Sequence, residues 1–227
     1  MDQIQKNRIS IQVSLSGYSF KIENAGVARS SEWLGADRVF TTPEFQSRYD
    51  EVSISLFTPK CALVPEQFFI PGKERESLSE VVDLKEGDVV EYVPVKSFGS
   101  VLLYSNSIGE SLSSLVSRAV LTVDGQSAPV LPELYWLLES VPLCSEYNRI
   151  LASFRDGYLH LVIAQGRSLL LANVYKAMDF TTAEYFIFLA MKTLQLNPEV
   201  STIRWRTPLT EAEEMSLYRY FASVESI

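Results

Sequence analysis

Apolar residues recur at every second position near the N-terminus: Ile9, Ile11, Val13 and Leu15, then Tyr18, Phe20 and Ile22. A period of two marks a strand with one covered face. The Ser16-Gly17 turn between the runs predicts a β-hairpin. Asn24-Ala25-Gly26 ends it, and Val27–Trp33 reads as a third, edge-like strand. Thr42 is a residue that caps free amides and Pro43 suits a first helical position, which predicts a short helix from Pro43 to Tyr49. Val52, Ile54 and Leu56 alternate as a strand. CALVP (61–65) is a short apolar strand, with a helical turn expected over Pro65–Phe69. The polar stretch PGKERESLSE (71–80) predicts an exposed loop. DVVEYVPV (88–95) and SVLLYS (100–105) read as strands, and Pro94 favours an edge position for the first. Ile108, Leu112, Leu115, Val116, Ala119 and Val120 have helical spacing, so a helix is expected over Ile108–Leu121. A second helix is expected over Pro129–Ser140.

Pro142 interrupts that pattern and sets the expected boundary between residues 1–142 and 143–227. Beyond it, Arg149–Phe154 and Tyr158–Ala164 flank Arg155-Asp156-Gly157, and Asp-Gly between apolar runs is a strong hairpin signal. Ser168–Tyr175 is nearly all apolar in its middle, which predicts a central strand buried on both faces. Thr181 and Glu184 have capping-box spacing before a helix reaching Leu196 that has almost no polar face. Asn197-Pro198 stops it, STIRW (201–205) is a fourth strand, and Thr210 with Glu213 opens a last helix over Glu211–Val224.

Three antiparallel strands, a crossover helix and a returning parallel strand make a mixed sheet, and the N-terminal part begins in the same way. The expected class is α/β, with two half-domains, each a mixed β-sheet with flanking helices. This order of elements resembles the ribonuclease H-like, or actin-like ATPase, plan. The phrases CALVPEQFF, LHLVIAQGRSLLLANVYKA and STIRW, with landmarks Val64-Pro65, Leu171-Ala172-Asn173 and Tyr185-Phe186, resemble an uncharacterised bacterial family, a domain of unknown function with an actin-like ATPase fold. That family usually carries an acidic residue shortly before its aromatic pair, a place that Glu184 or Asp179 fills. The resemblance covers most of the chain and implies a fold without an established activity.

Composition changes this picture little, and charge changes it more. Hydrophobic residues are 47 % of the 227, enough for a core, and the net charge is −8. An acidic surface repels phosphate backbones and anionic lipid, which argues against nucleic acid as a partner. No apolar run reaches the roughly 20 residues of a membrane span, and the polar N-terminal residues contain no secretory signal, so a cytoplasmic protein is expected. Cys61 and Cys144 sit in apolar settings as reduced thiols. The single histidine, His160, lies between leucines in a strand and reads as structural.

An actin-like ATPase needs backbone amides at a hairpin turn in each half, a carboxylate for Mg²⁺ or its waters, and a glycine pair beside the adenosine. In the first turn Ser14, Ser16 and Gly17 offer donors, but no carboxylate. In the second, Arg155, Asp156 and Gly157 keep an acid and a glycine beside bulky neighbours. The chain has no Gly-Gly pair. These eroded turns predict a scaffold or interaction module that binds another protein, with no cofactor and no catalytic residue. The alternative is an ATP-binding protein or ATP-dependent enzyme that uses Mg·ATP between the halves. Arg204 and Arg206 read as a solvated strand face, Glu211, Glu213 and Glu214 as complements to a helix dipole, and Tyr185–Phe188 as core.

Overall fold

A computed structural model describes residues 6–107 and 110–227. In chain order, strands β1 (Arg8–Ser14), β2 (Gly17–Asn24), β3 (Val27–Ser30), β4 (Arg48–Tyr49), β5 (Glu51–Leu56) and β6 (Cys61–Pro65) precede helix α1 (Glu74–Ser79). Strands β7 (Glu91–Val95) and β8 (Ser100–Tyr104) lead to α2 (Glu110–Ala119), β9 (Leu121–Thr122), β10 (Val130–Pro132) and α3 (Glu133–Ser140). Then come β11 (Asn148–Arg155), β12 (Tyr158–Gln165), β13 (Ser168–Lys176), α4 (Phe180–Thr193), β14 (Thr202–Trp205), α5 (Glu211–Tyr218) and β15 (Ser223–Ser226).

These elements form two units. One comprises the residues to Phe57 with Asn106–Pro132; the other comprises Thr58–Ser105 with Glu133–Ile227. The expected cut after residue 142 differs from this division. The three-stranded sheet β6-β8-β7 carries Leu63, Val93, Val95 and Leu102, which share an apolar cluster with α3 and with Leu151, Val162 and Ala164 of the C-terminal sheet. Burying that surface joins residues 58–105 to the second unit, although the first unit's α2 and β10 follow them in sequence.

Each unit holds a five-stranded mixed sheet, in the orders β3-β2-β1-β5-β10 and β13-β12-β11-β14-β15. In both, two antiparallel pairings (β1–β2, β2–β3; β11–β12, β12–β13) sit beside two parallel ones (β1–β5, β5–β10; β11–β14, β14–β15). In the second unit successive residues go to opposite cores. Ile150, Ala152, Leu159, Leu161 and Ile163 face α4 and α5, while Leu151, Val162 and Ala164 face α3. That explains the continuous apolar runs, because a strand covered on both faces has no polar side. Each fully buried Leu or Ile contributes roughly 1.5–3 kcal/mol.

Several expectations change for local reasons. Pro43–Gln46 is a single 3₁₀ turn, because Arg48–Tyr49 pairs in parallel with Leu121–Thr122. The polar 71–80 stretch contains α1, anchored by buried Leu78. Val130–Pro132 is a strand on β5, so the helix begins only at Glu133. Ile108 lies outside the described residues. Asp179, not Thr181, caps α4, accepting from the Thr182 amide at 2.8 Å, and Glu184 is buried. Thr210 and Glu213 do form a capping box, but α5 ends at Tyr218 and Ser223–Ser226 joins the sheet through β14. Strand β13 is not central. It ends the sheet, and none of its residues is buried: Leu171 and Tyr175 on one face and Leu169, Ala172 and Val174 on the other are only partly covered.

One buried polar cluster organises the second unit. Glu133 has no exposed surface; it accepts from Ser153 Oγ at 2.6 Å and pairs with the Arg206 guanidinium. Arg206 also lies over the Trp136 ring, 5.9 Å from its centroid. The nearby His160 Nε2 donates to the Thr58 carbonyl at 3.1 Å, and Thr58 Oγ1 donates to the Ser105 carbonyl at 2.6 Å. Burial lowers the His160 pKa, so the ring is neutral. Arg204 bridges Glu146 and Glu225 at 2.7 and 2.8 Å, so neither arginine forms the expected solvated face. Removing one member of a buried pair strands a charge at a cost of roughly 3–5 kcal/mol. Arg206→Leu should therefore lower the unfolding free energy by about that amount in urea titrations, with Glu133→Leu added in the same chain restoring a large part of it.

Candidate functional site

The first candidate turn is a two-residue hairpin loop, Leu15-Ser16, closed by the Ser14–Gly17 pair. Ser14 is buried. Its hydroxyl lies 3.2 Å from Ser16 Oγ and accepts from the Ser16 amide at 3.3 Å. Gly17 has φ +144°, and a Cβ on it would fall 1.9 Å from the Leu34 carbonyl oxygen. The chain returns here: Tyr18 N–H donates to the Leu34 carbonyl at 2.9 Å, and Leu34 N–H to that of Tyr18 at 2.7 Å. The glycine thus serves the close approach of Leu34, a purpose no phosphate is needed to explain. Leu15 projects from the tip with 62 % of its surface exposed.

The second turn, Asp156-Gly157, is closed by the Arg155–Tyr158 pair and has φ +50° and +81°. Positive φ at both loop residues defines the type I′ turn, whose twist matches a hairpin. The Gly157 carbonyl accepts from Ala177 N–H at 2.9 Å. Arg155 Nε stands 3.8 Å from Asp156 Oδ1. Burial lowers the Arg155 pKa while Asp156 and Glu213 raise it, so the guanidinium lies in the field of two carboxylates.

This second turn borders a cavity of about 330 Å³ within the second unit. Phe154, Phe180 and Trp205 line it, with Phe180–Trp205 centroids 5.4 Å apart. Trp205 Nε1 donates to Thr207 Oγ1 at 2.6 Å, which fixes the start of the Thr207-Pro208-Leu209 loop on the cavity wall. Glu213 closes another side, and its Oε2 accepts from the Thr210 amide at 2.8 Å. The structure therefore groups Arg155, Asp156 and Gly157 around one cavity and Ser14, Ser16 and Gly17 around another turn. Sequence reasoning missed the loop after β14 and the Glu133–Arg206 pair, since neither carries a local motif. The one available signal was Arg206 itself, two residues from a strand arginine. Among the described residues, no three His, Cys, Asp or Glu side chains are placed to share a metal ion. No helix among them is long and apolar enough to cross a membrane.

Residues 1–224 match the family described as "Protein of unknown function (DUF3822)". The chain belongs to that family. No curated protein matches it in sequence. A Bacteroides thetaiotaomicron protein with actin-like ATPase fold and unknown function is similar at a TM-score of 0.65 and 17 % identity, covering 100 % of this chain and 93 % of that one. The cytoplasmic domain of EpsL, an inner membrane component of the type II secretion system of Vibrio cholerae, is similar at 0.51 and 12 % identity, over 90 % of this chain and 84 % of that one. A chain of the PilM-PilN type IV pilus biogenesis complex is similar at 0.50 and 13 % identity, over 97 % and 88 %. The fold of this DUF3822 member is accordingly actin-like, with two mixed-sheet units of one strand order.

Two measurements test these assignments. Gly17→Ala should cost about 2–4 kcal/mol of stability in denaturant unfolding, because the new Cβ meets backbone at a positive φ; an unchanged midpoint would contradict the close approach of Leu34. Glu184 is 8 % exposed, and its Oε1 is buried without a hydrogen-bond partner. Burial raises its pKa; Ser216 and Arg219 oppose the shift and Glu213 reinforces it. The folded state then holds its proton more tightly than the unfolded one, so stability falls as pH rises from about 4.5 through the raised pKa. Glu184→Gln should flatten that fall in pH-dependent melting curves.

Proposed function

We propose that this DUF3822 protein is a protein-interaction module on an actin-like fold that works without nucleotide turnover or cofactor. The observation that carries the reading is the first turn, where Leu34 backbone covers Gly17 and Ser14 is turned into its own loop. Support also comes from the second turn. Its cavity presents Asp156 and Glu213 beside the one guanidinium of Arg155, a poor field for a polyphosphate. The chain has no Gly-Gly pair, and the loop on the cavity wall carries Thr207-Pro208-Leu209 instead. The EpsL domain is cytoplasmic and a component of a secretion system, and PilM is described in complex with PilN. The reading extends that kind of assembly role, and a cytoplasmic location, to this chain. The net charge of −8 disfavours a phosphate backbone and so supports a protein over a nucleic acid as the proposed partner.

Thermal unfolding with Mg·ATP tests the proposal. A ligand at a hundred times its Kd stabilises by about 2.7 kcal/mol, which a melting curve resolves easily. The midpoint should stay unchanged at millimolar Mg·ATP, and no phosphate should be released. A rise that disappears in Asp156→Ala would replace this reading with that of a nucleotide-binding protein.

A further inference from the structure

Strand β13 ends its sheet, and ladder parity shows which of its backbone groups face away. The Arg155–Tyr158 pair closes a two-residue turn, so Tyr158, His160 and Val162 direct their N–H and C=O groups to β11. Leu159, Leu161 and Ile163 then bond to Tyr175, Asn173 and Leu171 of β13. Ala172 and Val174 consequently point their N–H and C=O groups outward, where no further strand among the described residues is hydrogen-bonded to β13, although β6 lies close to it and shares its apolar cluster. One side-chain contact agrees with this: Asn173 Oδ1 reaches over the edge and accepts from the Val174 amide at 2.9 Å. Beside the edge, Phe186 stacks on Tyr175 with centroids 4.9 Å apart, and exposed Tyr185 packs against Phe186. They give the edge an apolar wall.

Charge selects what fits. From Gly157 to Met178 the sequence contains no Asp or Glu, although the chain carries −8 overall. The charged residues of that stretch are Arg167 and Lys176, both exposed, one just before β13 and one at its end. A second copy paired antiparallel about Ala172 would set Lys176 opposite Ser168, next to Arg167. Like charges so placed are repulsive. A strand with carboxylates at its ends meets the same two cations favourably.

We propose that the outer edge of β13 is a docking site for an extended segment of a partner protein, apolar at alternate positions and acidic at both ends, which adds to the sheet as a further strand. The incoming backbone pairs with Ala172 and Val174 and displaces the Asn173 side chain, as in other cases of strand addition. The proposal rests on the protein-interaction reading and specifies its partner.

Residue-resolved amide exchange by NMR tests it, using a synthetic peptide that alternates valine and threonine with two glutamates at each end, and a twin with lysines in their place. The glutamate peptide should slow exchange at Ala172 and Val174 about tenfold or more, and the lysine peptide should not. Ala172→Pro removes an outward donor and should abolish the effect. Should that variant fail to fold, the exposed pair Arg167→Glu with Lys176→Glu should reverse the preference toward the lysine peptide. No slowing with either peptide, or equal slowing with both, overturns the proposal. So does protection of β13 that grows with protein concentration alone, which would assign the edge to a second copy. A melting shift with Mg·ATP together with glutamate-peptide protection would overturn the nucleotide-free reading and leave the edge assignment standing.

Discussion

An ionised carboxylate in an apolar core must keep its counter-charge, and Glu133 imposes that constraint on the second unit. Its position at the start of α3 draws Ser153 of β11 and Arg206 of the loop after β14 to one point. Fixing Arg206 also fixes where Thr207 begins, and Thr207 holds the indole of Trp205. The cavity wall therefore inherits its position from an ion pair it does not contain. Ion pairs of this kind add little net stability compared with apolar packing, but they allow few alternative arrangements.

The two units use one strand order for different ends. In each, a hairpin turn joins the first two antiparallel strands of the sheet. The first turn is held by its own chain through Leu34. The second keeps its glycine for a type I′ twist and surrounds its arginine with carboxylates. An actin-like architecture does not by itself carry the turn chemistry, because the strands are specified by apolar alternation, whereas the turn chemistry depends on a few side chains.

Alternation and turn signals made β1, β2 and β5 readable, and apolar runs around an Asp-Gly turn did the same for β11 and β12, since what covers a strand's faces is written directly in its residues. Elements whose identity depends on a distant partner were not readable. Val130–Pro132 becomes a strand only because β5 offers an edge, and Ser223–Ser226 only because β14 does. Strand β13 misled in a specific way: apolar residues on both faces report what lies above and below a strand, and nothing about what lies beside it. The candidate turns were found by their glycines, but the reasons for those glycines were not. Leu34 lies seventeen positions after Gly17, and no local pattern connects them.

The interleaved chain path has a consequence for synthesis. The first unit's sheet needs β10, which emerges only after residues 58–105 have been made for the other unit. Those residues in turn wait for α3 and β11 before their apolar face is covered. The first unit can close once Pro132 has been made, whereas residues 58–105 keep an uncovered apolar face until α3 and the C-terminal sheet have followed, so the growing chain carries that face into its last third.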